Sequence, residues 1–216
     1  MGKRWLLLAA ALIGYGLLWV GWAAQWAWLR WVDIWLLSPA HDYGAAHPGW
    51  VQGWQLYCTV FGPWTFQLMA VVVAIVALVR RKRRVAVFLL VCVVPEGLVT
   101  EVAKDIAQRA RPLTALVHEP SWSFPSGHAL GTMVGLLGLT AAVSALVSTD
   151  RQRAVRIAAA VGAAVVLAVG VGRVLLNVHH PSDVLAGWLL GGAWFLATLP
   201  ILSGGATSEV HIVSKP

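Results

Sequence analysis

Three short polar stretches interrupt an otherwise strongly apolar chain, and their residue types are ones that can do chemistry. Lys104 precedes the pair Arg111-Pro112. The block Pro125-Ser126-Gly127-His128 follows, and Arg173, His179 and Asp183 complete the set. Together they hold three cations, two histidines and a carboxylate. Such a set can grip a phosphate, attack it and protonate the leaving group without a metal ion.

Lys104, Gln108 and Arg111 fall at i, i+4 and i+7, so on a helix they share one face, and Pro112 ends that helix. Two cations stacked there form a phosphate clamp; the plainer alternative is a snorkelling pair at a helix end. Ser126 is a natural N-cap, Gly127 allows close backbone approach, and the free N–H groups of a helix start attract an anion, with His128 at the mouth. By itself that block also fits a capping signal with a bystander histidine. In the third stretch Pro181 suits a first helical turn, and Asp183 lies four residues after His179. That separation lets the carboxylate accept a hydrogen bond from one imidazole nitrogen, fix the tautomer and leave the other nitrogen free to attack. His180, three residues before Asp183, competes for the same role.

The elements that must carry these residues are membrane spans. Of 216 residues, 59% are apolar and 12% charged, which is outside the range of soluble domains and identifies an integral membrane protein. Thirteen tryptophans, many between residues 19 and 64, fit interfacial belts. Six spans are predicted, over 5–29 and about 57–79, 85–103, 128–147, 155–176 and 183–202. Residues 5–29 are too long for a signal-peptide core and read as a retained helix. Residues 30–56 read as a short interfacial segment followed by a loop. The expected architecture is therefore all-α: one membrane-embedded domain over 1–202 and a short polar cytoplasmic tail over 203–216.

The formal charge of +7 is distributed by topology and does not form a nucleic-acid patch. Eleven of the sixteen basic residues, including the run Arg80-Arg81-Lys82-Arg83-Arg84, fall on one side of the six-span arrangement, with both termini. That side is expected to be cytoplasmic. The five on the other side are Arg30, Lys104, Arg109, Arg111 and Arg173, and three of them belong to the polar stretches. All three stretches thus fall on one, extracytoplasmic, face. Cys58 and Cys92 lie in apolar runs and read as buried small side chains.

These residues resemble the motifs of the type 2 phosphatidic acid phosphatase family, membrane lipid phosphatases related to vanadium haloperoxidases. The Lys, six residues, Arg-Pro pattern is met by Lys104 to Pro112, the Pro-Ser-Gly-His block by 125–128, and the Arg, five residues, His, three residues, Asp pattern by Arg173, His179 and Asp183. The resemblance covers about residues 85–202. It selects His179 over His180, and it departs at Gly172, where the family usually has Ser before the Arg.

The resemblance implies a six-helix catalytic bundle of the phosphatase and haloperoxidase type. It implies a phosphohistidine at His179, orientation by Asp183, proton donation by His128, and phosphate binding by Lys104, Arg111, Ser126, Gly127 and Arg173. It implies no metal and no cofactor, and a lipid phosphate in the bilayer of the plasma membrane as the partner. Polyprenyl diphosphate is favoured, ahead of phosphatidylglycerol phosphate and phosphatidic acid. Twelve Arg against four Lys and a single Asn, Asn177, point to a GC-rich bacterial genome, where carrier-lipid recycling is a common task. The rival classes are a lipid-phosphate binder or transporter, a metal-dependent hydrolase with His179, His180 and Asp183 as ligands, and a haloperoxidase. Among the remaining polar residues, Glu96 is expected to face the bundle and Glu101 to pair with Lys104, while Arg109, His118 and Glu119 are expected in or near the outer loop.

Overall fold

Backbone N–H and C=O groups in lipid have only one another as partners, so apolar runs of this length must coil into helices. The computed structural model describes residues 2–203; residues 204–216, most of the expected tail, lie outside the described residues. Among the described residues there is no strand, and six segments are long and apolar enough to cross a membrane: Gly2–Ala23, Pro48–Val79, Arg83–Ala107, Gly127–Leu146, Thr149–Leu175 and Pro181–Ser203. The protein is a multi-pass membrane protein of the all-α class.

The first crossing, α1 (Gly2–Ala23), ends earlier than residue 29, and a separate helix α2 (Ala27–Ala46) follows. The loop expected within residues 30–56 is helical instead, because α2 runs to Ala46 and α3 (Pro48–Val60) follows at once. Pro39 lies within α2, and Pro48 opens α3 at a position where its missing N–H costs nothing. The second crossing therefore begins nine residues before the expected 57. It is broken at Phe61-Gly62, where α4 (Pro63–Val79) takes over.

The third crossing joins α5 (Arg83–Cys92) to α6 (Glu96–Ala107) around Pro95. Then come α7 (Gly127–Leu146), α8 (Gln152–Leu175) after a short 3-10 turn, α9 (Pro181–Thr198) and the short α10 (Pro200–Ser203). The outer faces carry Leu6, Ile13, Leu68, Ile75, Ile157 and Val161, all exposed, as a lipid-facing surface requires.

The core is centred on α7, which packs on α4, α6, α8 and α9. Small residues set its closeness to α9. A Cβ at Gly187 would lie 2.6 Å from the carbonyl oxygen of Ser126, and one at Gly191 would lie 2.8 Å from that of Leu130. This contact lays the first turn of α9 against the start of α7, where the Ser126 N–H donates to the Asp183 carbonyl at 2.9 Å. The C-terminal ends of α6 and α8 and the N-terminal ends of α7 and α9 thus meet at one end of the bundle, and the loops between them carry the polar residues.

Candidate active site

The residues of the first stretch do not share a helix face. α6 stops at Ala107, and Gln108 takes a left-handed conformation (φ 52°) while its N–H returns to the Lys104 carbonyl at 2.7 Å. The expected helix to Arg111 is therefore shorter, because the left-handed residue turns the chain out of it. The consequence is that Arg109 and Arg111 leave in different directions. Lys104 donates to Ser121 Oγ at 2.7 Å and to Glu101 Oε1 at 3.1 Å, which is the expected Glu101 pair. Arg111 reaches from the loop to the Ser121 carbonyl (2.7 Å), the Val178 carbonyl (2.7 Å) and His179 Nε2 (3.2 Å).

Ser126 stands at the N-cap position of α7, but its hydroxyl makes no capping bond. Among the described residues Ser126 Oγ, Thr100 Oγ1 and Arg173 Nε are buried and without a hydrogen-bond partner. Buried polar atoms without partners are uncommon and costly, and these three fall on or beside the same cavity. Gly127 has no room for a side chain, since a Cβ there would lie 2.9 Å from Thr100 Cγ2 and 3.9 Å from Lys104 Nζ. His128 packs its ring at the α3–α4 break, 3.4 Å from where a Cβ on Gly62 would stand.

Arg173, at the end of α8, pairs with Glu119. Burial raises the Glu119 carboxyl, but Arg173, backed by Arg111 and His179, outweighs this and holds it below its usual value. His179 is 1% exposed. Its Nε2 faces Arg111, while its Nδ1 faces Ser123 Oγ (3.4 Å) and Asp183 Oδ2 (3.6 Å). The direct contact to Asp183 is longer than a hydrogen bond, and the Ser123 hydroxyl stands beside both groups, donating to Oδ2 at 2.5 Å. Burial, helped by Arg173 and Arg111, pushes the His179 imidazole down to about 3 against the raising effect of Asp183. A neutral ring with its Nε2 lone pair toward the cations is the form a nucleophile needs. His180 binds the same Oδ2 through its N–H (2.8 Å) and Nδ1 (3.2 Å), so it serves Asp183 and does not line the cavity.

A cavity of about 330 Å³ joins Lys104, Arg111, Gly127, His128, Arg173 and His179, with Glu96, Thr100, Glu101 and Glu119 on its wall. Six of the eight site residues expected from the sequence thus line one space, Ser126 is buried at the start of α7 and Asp183 stands behind His179. Glu96 accepts from Gln67 Nε2 at 2.9 Å, the bundle-facing contact expected of it. Among the described residues no three His, Cys, Asp or Glu side chains converge as a metal site requires.

Sequence reasoning missed three residues. Ser121 and Ser123 flank Trp122 just ahead of Pro125, and nothing in their pattern marks them. Asp33 was part of the expected interfacial segment, yet it is 2% exposed and bonded to Arg109 and Ser182. A signal existed: Leu29, Asp33, Leu37, Ala40 and Gly44 repeat at helical spacing and form the buried face of α2.

Comparison with known proteins shows the family and the fold. The sequence model of the PAP2 superfamily matches residues 85–204. An undecaprenyl-diphosphatase of Sulfolobus acidocaldarius is 28% identical over 151 residues, 67% of this chain and 68% of the relative. A phosphatidylglycerophosphatase B of Bacillus subtilis is 34% identical over 99 residues, 44% of this chain and 47% of the relative. The crystal structure of a transmembrane PAP2-type phosphatidylglycerolphosphate phosphatase from Bacillus subtilis superposes with a TM-score of 0.73 at 24% identity, covering 92% of this chain and 95% of that one.

Proposed function

The chain belongs to the PAP2 superfamily, and from that premise we propose that it removes the terminal phosphate of a polyprenyl diphosphate through a phosphohistidine at His179. The observation that carries this reading is the single cavity into which three separate segments bring three cations and two imidazoles, with His179 Nε2 turned toward Arg111.

The phosphate is held by Lys104, Arg111, Arg173, Ser126 and the Gly127 N–H, which leaves its phosphorus in front of His179. Nε2 forms the N–P bond as the P–O bond to the lipid breaks, and protonated His128 gives its proton to the leaving oxygen. His128, now neutral, takes a proton from water, which attacks phosphorus, breaks the N–P bond and returns free phosphate and His179. The cations stabilise the charge that gathers on the nonbridging oxygens in both steps. Asp183 orients His179 through the Ser123 hydroxyl and by its own charge. On this reading the fixed cations supply the electrostatics and no metal takes part.

The undecaprenyl-diphosphatase relative supports a polyprenyl tail, and phosphatidylglycerol phosphate is the second substrate to assay. The positive-inside bias supports cytoplasmic termini and an extracytoplasmic active site in the plasma membrane. Contacts of α1 and α2 with α9 support one catalytic unit from residue 1 to 202.

The test is turnover of polyprenyl diphosphate, phosphatidylglycerol phosphate and phosphatidic acid by the purified protein and by His179→Ala. The variant is expected to lose at least about a thousandfold in kcat. Wild type quenched during turnover of terminally 32P-labelled diphosphate is expected to carry acid-labile label on His179, to be inhibited by vanadate and to keep its activity in excess chelator. Full activity of His179→Ala on all three lipids overturns the mechanism.

A further inference from the structure

Behind the catalytic cavity lies a buried polar cluster that meets the reaction above only at Asp183. Asp33 of α2 accepts three hydrogen bonds: the Ser182 N–H at 3.0 Å on Oδ1, and Ser182 Oγ at 2.7 Å and Arg109 NH2 at 2.8 Å on Oδ2. Arg109 in turn donates NH1 to Asp183 Oδ1 at 2.6 Å and to Ser182 Oγ at 2.7 Å. Relative exposures are 2% for Asp33, 6% for Arg109, 1% for Ser182 and 0% for Asp183. The Trp22 ring covers the guanidinium, with Cζ 5.8 Å from its centroid.

Two features give this cluster a direction. Ser182 lies in the first turn of α9, whose N–H groups have no partner within their own helix, so Asp33 acts as a cap supplied from another helix. Asp183 is the next residue. Its Oδ1 is taken by Arg109, which leaves only Oδ2 for Ser123, His180 and the side of His179. The carboxylate that faces the nucleophile is therefore held from behind by a guanidinium, and that guanidinium is held by Asp33. Asp33 lies outside residues 85–204, the segment shared with the superfamily.

We propose that Asp33 is a positioning residue for the phosphoryl transfer, acting through Arg109 and Ser182 to lock the first turn of α9 so that Asp183 keeps His179 aimed into the cavity. The catalytic segment is thus incomplete without helix α2. The proposal rests on His179 being the nucleophile.

The experiment measures kcat, KM and thermal midpoint of the full chain in one detergent with polyprenyl diphosphate, for wild type, Asp33→Asn, Arg109→Gln, the double variant and His179→Ala. Asp33→Asn keeps the shape but turns an amide donor toward Arg109. It is expected to lower kcat about 10- to 100-fold with KM within about twofold of wild type, because misplacement of a reacting group costs rate and leaves phosphate contacts intact.

Arg109→Gln leaves two buried carboxylates facing each other without a cation. Adding Asp33→Asn removes one of them, so the double variant is expected to be at least about fivefold more active than Arg109→Gln alone, a reversal of sign that general loss of packing does not produce. Wild-type kcat in folded Asp33→Asn, or a raised KM at unchanged kcat, overturns the proposal, as does a double variant no better than Arg109→Gln. If Asp33→Asn is too unstable to purify, the Arg109 pair decides. His179→Ala separates the two readings: full activity there removes the nucleophile itself, whereas an inactive His179→Ala beside an unchanged Asp33→Asn removes only the role of Asp33.

Discussion

Arg111 and Arg109 are two residues apart in one turn, and they serve opposite sides of the same wall. Among the described residues Arg111, on the cavity side, bonds only to neutral groups: three carbonyls, a hydroxyl and an imidazole nitrogen. Arg109, on the far side, lies between the carboxylates of Asp33 and Asp183. The cavity's other cations follow the first pattern only in part: Lys104 divides its donors between Glu101 and a serine, and Arg173 pairs with Glu119 through NH2 while its Nε has no partner among the described residues. A cation ringed by neutral acceptors keeps its field for an arriving anion, whereas one between two carboxylates is already neutralised and acts as structure.

The largest effects should separate the two arginines. Arg111→Ala is expected to lower kcat/KM by about 10²–10³-fold with little change in melting temperature, because it removes transition-state charge stabilisation from a cavity that water can fill. Arg109→Ala is expected to lose activity and also about 3–5 kcal/mol of stability, because it leaves two buried carboxylates uncompensated. Parallel melts and steady-state kinetics decide. If both variants melt like wild type, the division between ligand-facing and structural cations fails.

This division was only half legible in the sequence. The type and spacing of Lys104, Arg111, His128, Arg173 and His179 placed them in one site, because membrane crossings leave few ends at which charge is tolerated. The spans were legible for the same reason. The turn at Gln108 was not, since a left-handed residue other than Gly or Asn carries little signal, and with the helix continued to Arg111 the different course of Arg109 stayed hidden. Asp33 was hidden by context: among exposed Trp28, Trp31 and Trp35 it reads as the polar part of a surface segment, and only the stripe from Leu29 to Gly44 reveals the buried face. Helices α2 and α3 were obscured by Pro39 and by the His47-Pro48-Gly49 turn signal.

Gly172 sharpens the contrast on the α8 side. The departure from the usual Ser has a packing cause, because a Cβ here would lie 2.7 Å from both Cys58 Sγ and Trp54 Cε3 of α3. Gly172→Ser is therefore expected to destabilise by about 3 kcal/mol, the upper end for overpacking, and to reach activity only through the fit of neighbouring Arg173. A variant that melts like wild type would show that α3 yields freely and that the close contact does not position Arg173.

Acid should act on the cavity side first. The unfolded chain protonates His179 near 6.5, whereas burial keeps the folded ring neutral down to about 3. Between these values the unfolded state binds more protons, so stability is full above 6.5 and falls as pH drops through it. The loss between pH 7 and pH 5 is expected to be about 2 kcal/mol, read from melts in detergent. His179→Gln should flatten that slope by about one proton. A slope unchanged in the variant assigns the proton to another group.

The smallest effect belongs to Glu101, and it tests the same contrast from the weak side. Its ion pair with Lys104 is an i, i+3 contact in which the carboxylate side chain is 56% exposed, so water and salt screen most of its Coulomb energy. Glu101→Gln should therefore change stability by less than about 1 kcal/mol, unlike loss of the buried Arg109 pairs. Lys104 keeps its bond to Ser121 and loses a competitor for its charge. KM is expected to fall about twofold at low ionic strength, with kcat unchanged and the difference disappearing in high salt. A large drop in stability or in kcat would mean that Glu101 holds Lys104 as firmly as Asp33 holds Arg109, and the two sides of the wall would then be built alike.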